Sequence, residues 1–254
     1  MSDGSRRGFL GAAVAGTGAL LLSGCRGLSE TQWFPKILES AEGLTKRAQR
    51  LIAGSWSMAT EYSKADISPV FKANGTLDPG TPAYQQAAAN NFRDWRIPVG
   101  GLVAHPFTLT LDDLRAYPPR TQITRHDCVE GWSCIGEWTG APLRLILAKA
   151  DPLPKARYVV FYCADPMSDQ GDYYYESLDL VEAFHPQTIL AYQMNGAPLG
   201  IPHGAPVRLR CERQLGYKHA KYVERIELVE DFGHINGGKG GYWEDQGYAW
   251  WAGI

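Results

Sequence analysis

Thr124-Arg125-His126-Asp127-Cys128-Val129-Glu130-Gly131-Trp132-Ser133 sets one cysteine among a cation, an imidazole and two carboxylates. A thiol beside positive charge has a lowered pKa, and its thiolate is a nucleophile or a soft-metal ligand. Free cysteines are also among the most buried residues and pack as small hydrophobes. The segment alone leaves both readings of Cys128 open.

Outward from this stretch, the N-terminus suggests where the cysteine works. Ser5-Arg6-Arg7-Gly8-Phe9-Leu10 carries paired arginines, followed by an apolar run to Leu22 and then Leu22-Ser23-Gly24-Cys25. The run is too short and too rich in glycine to span a bilayer, so residues 1–24 read as a removable signal. Twin arginines mark the Tat route, which exports proteins already folded, often around a cofactor. Leu-Ser-Gly-Cys resembles a lipoprotein cleavage box, which makes Cys25 the lipidated first residue of an anchored, periplasmic or cell-envelope protein. A plain signal peptide with an incidental cysteine is the simpler alternative.

Residues 25–254 suffice for one sizeable domain. Cleavage removes Arg6, Arg7 and Asp3 and shifts the net charge from −2 to −3, which gives no electrostatic basis for nucleic-acid binding. The remaining Cys128, Cys134, Cys163 and Cys211 are too sparse for a disulfide scaffold. Neither Cys-x-x-Cys nor His-x-x-x-His occurs, so zinc has little support. The dinucleotide fingerprint Gly-x-Gly-x-x-Gly is also missing.

Residues 32–54 have helical spacing of Leu38, Ala41, Leu44, Ala48, Leu51 and Ile52, with Gly54 as a stop. They read as a partly helical arm over 25–66, joining the anchor to a domain over 67–254. Asn74-Gly75 and Asp78-Pro79-Gly80 are turn signals. Residues 96–103 read as extended. Thr110-Leu111-Asp112-Asp113 caps a short helix to Ala116, and residues 141–150 form another with Pro142 in its first turn. Residues 157–162 and 189–194 read as strands, and Val207–Cys211 as a half-buried strand alternating apolar and basic residues. Short strands mixed with short helices and many turns indicate an α+β domain.

Three motifs in order then carry a resemblance. Arg-His-Asp-Cys128-Val-Glu-Gly-Trp-Ser, His203-Gly204-Ala205-Pro206-Val207-Arg208-Leu209 and Gly216-Tyr217-Lys218-His219-Ala220-Lys221 resemble the molybdopterin-binding domain of the sulfite oxidase family. The likeness runs from about Ile67 to Ile254. It is greatest to the exported bacterial branch that contains the periplasmic protein-methionine-sulfoxide reductase catalytic subunit.

The resemblance implies Mo-molybdopterin as cofactor and Cys128 as the protein thiolate on molybdenum, a soft donor suited to that metal. It implies that His203, Arg208, His219, Ala220 and Lys221 hold the pterin, Arg208 and Lys221 being suited to its phosphate. Phe161-Tyr162-Cys163-Ala164-Asp165 matches a family strand whose end contributes Asp165. Phe71-Lys72-Ala73-Asn74-Gly75 takes the place of the family's Phe-x-Arg-Asn-His loop, so Phe71 and Asn74 join the set. Tyr248 keeps the spacing of the family's active-site tyrosine. Ordinary roles exist for each: surface charge for Arg208 and Lys221, turn support for His203 and Asp165, packing for Tyr248, Cys134 and Cys163. His126 and Asp127 either tune the thiolate or pair structurally.

Departures from the family pattern bear on substrate. Ala73 replaces an arginine, Gly131 and Trp132 stand where arginines follow the cysteine, and Glu244 and Asp245 stand where an arginine would hold an anion. An acidic, aromatic pocket mouth is expected to repel sulfite, which leaves oxygen-atom transfer on an S-oxide, an N-oxide or a similar compound. The family's immunoglobulin-like and haem domains have no counterpart, so a monomer is expected, with a membrane b-type or periplasmic c-type cytochrome as electron partner. The rival readings are a metal-free thiol–disulfide lipoprotein using Cys128 and Cys134, and a non-catalytic binding lipoprotein on the same fold.

Overall fold

The computed structural model describes residues 34–168 and 171–254, so the export signal and Cys25 lie outside the described residues. Two compact units divide the chain at Arg50/Leu51. Helix α1 (Phe34–Ala53) ends where expected, at Gly54, whose φ of +81° is a left-handed conformation that glycine adopts without strain.

The larger unit holds two five-stranded sheets. In the first, β1 (Ile97–Gly101) lies between β2 (Phe107–Leu109) and β10 (Val223–Val229). Beyond β10 come β5 (Tyr158–Pro166) and β6 (Tyr173–Asp179). Only the β1–β10 pair is parallel. The second sheet runs β3 (Arg120–Asp127), β4 (Ser133–Pro142), β7 (Ile189–Met194) and β8 (Ala197–Pro198), with β9 (Arg208–Arg210) also paired to β7. The main core draws Ile97, Phe161 and Ile226 from the first sheet and Leu190 and Leu209 from the second, each fully buried. At roughly 1.5–3 kcal/mol per fully buried large apolar side chain, this core is what holds the unit together.

Short helices close the layers. Helix α2 (Pro82–Ala89), unassigned by pattern because only Tyr84 on it is buried, is capped by the Thr81 hydroxyl, which accepts from Tyr84 N. In α3 (Leu111–Ala116) the Thr110 hydroxyl accepts from Asp113 N while the Asp113 carboxylate accepts from Thr110 N, the reciprocal cap read from sequence. Helix α4 (Leu143–Ala150) starts later than expected, because Ala141 and Pro142 are still paired with β7. Helix α5 (Leu180–Ala183) follows β6, and α6 (Tyr242–Asp245) lies in the C-terminal tail.

One further expectation is corrected. Strand β9 is fully buried rather than half-buried, with Arg208 1% and Arg210 0% exposed. Its charges tolerate this because Arg210 meets Glu212 at 2.5 Å and Arg208 donates to backbone carbonyls. Within the arm read over 25–66, residues 54–66 are hydrogen-bonded to the domain. Arg213 donates to the carbonyls of Gly54 and Ser55, Gln187 brackets the backbone of Ala59, and Tyr62 N donates to Ile123 O on β3.

Candidate active site

Strands β3 and β4 form a hairpin whose tip is the cysteine segment, with Asp127 opposite Ser133. Cys128 N donates to Trp132 O and Gly131 N to Cys128 O, and Gly131 takes φ +84° so that the turn can close. Strand alternation then separates the residues that adjoin Cys128 in sequence. Arg125 and Asp127 pair with each other at 2.9 Å, and Ser133 Oγ donates to Asp127. His126 turns inward and is 1% exposed. No cation of the segment therefore serves the thiol. Burial pushes the Cys128 thiol up, which outweighs lowering by the Glu130 backbone N–H; the Glu130 carboxylate adds a smaller rise, and Lys72 and the Val129 N–H oppose it weakly. The lowered thiol pKa expected from sequence is thus corrected: among protein groups alone, Cys128 is held as a thiol.

Cys128 lines a cavity of about 160 Å³. Asn74, Gly75 and Thr76 line it, together with Gly216, Tyr217, His219 and Lys221. Asp165 and Tyr174 contribute from β5 and β6, and Trp243 and Tyr248 from the C-terminal tail. Six residues singled out in the sequence, Asn74, Cys128, Asp165, His219, Lys221 and Tyr248, thus share one cavity. Tyr248 is 41% exposed, stacks on Trp243 at 5.4 Å and meets the edge of Tyr217 at 5.3 Å, so packing and access coexist there.

Phe71, His203, Arg208 and Ala220 do not line the cavity. Phe71 packs against His126, Trp138 and His203 at 5.3–5.8 Å. Arg208 donates from Nη1 to His203 O and from Nη2 to His219 O, tying both motifs together, and lies over Trp138 at 5.0 Å. Ala220 O accepts from Leu209 N. The surface-charge readings of Arg208 and Lys221 fail, since both are buried. Lys221 Nζ donates to the carbonyls of Asn74 at 2.7 Å, Pro202 at 3.0 Å and Thr76, and so clasps the 74–76 loop.

Electrostatically this wall is short of anions. Burial first, then Arg208, pulls Lys221 down to about 7, and burial with Arg210 pulls Arg208 down to about 9. His126, His203 and His219 are all shifted down by burial before nearby cations. Burial raises Asp165 to about 6. Unpartnered buried atoms remain on Asp165 (Oδ1), His203 (Nδ1), Arg208 (Nε) and His219 (Nδ1). Buried polar groups normally find partners, so the two such atoms on the lining residues Asp165 and His219, with two more on His203 and Arg208 behind them, fit a polar, partly anionic cofactor. Among the described residues no group of three or more His, Cys, Asp or Glu is placed to hold a metal ion. A metal at Cys128 therefore needs donors from outside the protein, as a dithiolene would supply.

The acidic mouth expected from Glu244 and Asp245 is not there. Glu244 is fully buried and meets Lys218 at 2.5 Å, with Glu176 on the same ammonium. Asp245 accepts from Tyr175 Oη, Gly237 N and Lys239 N. The acids lining the cavity are Asp165 and Glu130, and Glu130 accepts from Trp132 Nε1 at 2.8 Å and lies 3.5 Å from Lys72. Tyr174, whose hydroxyl donates to Tyr217 O, was missed because Tyr173-Tyr174-Tyr175 carries no periodic signal. Cys134 faces Val70 O at 3.8 Å and does not line the cavity, and the four described cysteines are free.

A hairpin-tip thiol lining a cavity beside unpartnered polar atoms is a place that a cofactor can occupy. Residues 84–233 match the oxidoreductase molybdopterin binding domain, and the chain belongs to that family, the sulfite oxidase family of molybdopterin oxidoreductases. A relative from Azospira oryzae, provisionally named protein-methionine-sulfoxide reductase subunit YedZ1, is 36% identical over 253 residues, covering 98% of this chain and 88% of its own. The crystal structure of the sulfane dehydrogenase SoxCD from Paracoccus pantotrophus is similar with a TM-score of 0.50 at 25% identity, over 55% of this chain and 39% of that one. The resemblance read from the three motifs and the α+β class are thereby borne out.

Proposed function

We propose that this oxidoreductase is an exported Mo-molybdopterin enzyme that reduces an organic S-oxide, with Cys128 as the protein ligand to molybdenum. The observation that carries the reading is the Cys128 thiol lining the same cavity as Asp165, His219 and Lys221. The name of the Azospira relative supports the substrate class. When bound, the cofactor supplies two-electron oxygen-atom transfer. The chain's own residues hold it: His203, His219 and Asp165 have unpartnered polar atoms for the pterin, Arg208, whose Nε is unpartnered, supplies positive charge for its phosphate, and Lys221 braces the 74–76 loop beside it. Phe71, Asn74 and Ala220 fix the loops that carry these groups. Tyr248 presents a phenol that can donate a hydrogen bond to a sulfoxide oxygen.

Sulfite is a poor fit. The cavity has carboxylates at Glu130 and Asp165, no arginine among its lining residues, and a lysine committed to carbonyls. An unpaired anion in such a place is disfavoured by several kcal/mol, on the order of a hundredfold or more in affinity. With reduced viologen as donor, the purified enzyme is expected to reduce free or peptidyl methionine sulfoxide. Sulfite-dependent reduction of ferricyanide is expected at background. Efficient sulfite oxidation with inert sulfoxides would overturn the reading. The twin-arginine signal and Cys25 support export and lipid anchoring, with a membrane b-type or periplasmic c-type cytochrome delivering electrons, a partner that suits a relative described as a subunit.

A further inference from the structure

Helix α1 is amphipathic, and from Ala41 to Ile52 its apolar side is exposed. Ala41, Leu44, Ala48, Leu51 and Ile52 fall within an arc of about 100° on a helix of 3.6 residues per turn. All five are exposed, with Leu44 at 63%, Leu51 at 86% and Ile52 at 87%. Lys46 and Arg50 fall on the opposite side and Arg47 flanks it. Across the helix four basic residues stand against two glutamates. Uncovered apolar stripes of this kind are rare on a surface that meets only water.

The occupant has to match an apolar stripe with a basic back. A long helix of low net hydrophobicity with this division lies in the plane of a membrane surface, its apolar side among the acyl chains and its cations at the headgroups. Among the described residues no helix is long and apolar enough to cross a membrane, so lying on the surface is the geometry left for a lipid contact. Sequence position agrees: Cys25 lies nine residues before Phe34 and follows directly on the apolar run. A single acyl chain binds membranes only marginally, and a second signal makes attachment stable.

We infer that α1 is an in-plane binding element for anionic lipid membranes, acting independently of acylation at Cys25 and of the redox site. The cofactor-loaded chain from residue 25, carrying Cys25→Ser so that no acyl chain contributes, should co-float with vesicles of phosphatidylglycerol and phosphatidylcholine. Binding should fall with added salt and be weaker on phosphatidylcholine alone. Leu44→Glu/Leu51→Glu/Ile52→Glu should cut partitioning about tenfold or more, with thermal unfolding unchanged because all three side chains are exposed. Failure of the Cys25→Ser chain to bind anionic vesicles, or equal binding by the triple variant, overturns the inference. So does a triple variant that loses only capture by a membrane electron-partner protein, which would assign the stripe to that protein.

Discussion

Cys128→Ser is expected to abolish turnover and to change the visible spectrum of the bound molybdenum, while leaving the protein folded. Serine keeps the size of the side chain and the backbone bond from residue 128 to Trp132 O, so the hairpin tip keeps its geometry. Its hydroxyl is a hard, weakly acidic donor, whereas the proposed role needs a soft thiolate. Changes to neighbours of a metal ligand typically cost about ten- to a hundredfold, so loss of the ligand itself should cost more than about a hundredfold. The shift in stability should stay within about 1 kcal/mol. The raised thiol pKa bears on how the ligand comes to be ionised: burial disfavours a free thiolate, so the bound metal has to take the proton's place. Cys134→Ser is the control, because that sulfur faces Val70 O away from the cavity. An active Cys128→Ser enzyme would eliminate the proposed ligand.

Lys218→Met should produce the largest loss of stability from a single substitution. Lys218 is 1% exposed and its ammonium is shared by Glu176 and Glu244, both fully buried, each keeping one unpartnered oxygen. The cluster ties the turn bearing Gly216, Tyr217 and Lys218 to β6 and to α6 in the C-terminal tail. Removing one partner of a buried charge cluster costs about 3–5 kcal/mol, since the remaining charges lose compensation. For a domain of this size that is on the order of 10 °C in Tm. Burial first, then Glu244, already holds Glu176 well above the usual carboxylate range, with Lys218 opposing. Without the lysine it rises further. A raised carboxyl pKa gives stability that is full below the unfolded value and is lost as pH climbs through the folded one, so the defect should deepen as pH rises above the ordinary carboxylate range. Adding Glu176→Gln and Glu244→Gln should recover part of the loss. Thermal unfolding of the set checks both points, and a pH-independent defect would argue against the charge account.

Local chemistry made the strand β7, the Thr110 cap, the Gly54 stop and the α+β class legible in the sequence. Each rests on a few adjacent residues whose preferences agree with the final fold. The β3–β4 hairpin was hidden because charged and polar residues crowd its tip, and β6 because its consecutive tyrosines have no period. In the candidate site, motif spacing brought Cys128, His219 and Lys221 to one place. It could not show which way side chains point. Strand alternation took Arg125 away from the thiol, burial keeps His126 neutral, and tertiary pairing drew Glu244 into the interior, none of which adjacent residues reveal. Arg208 and Lys221 bind backbone carbonyls that are remote in sequence or belong to other motifs, so their bracing roles emerge only once the chain is folded.

The central claim is that Cys128 and the cavity beside it hold molybdenum through a pterin. Elemental analysis of the full-length protein purified after export tests it most directly. Near-stoichiometric molybdenum that is lost together with releasable pterin is the predicted result, and a folded, active protein containing neither would contradict it.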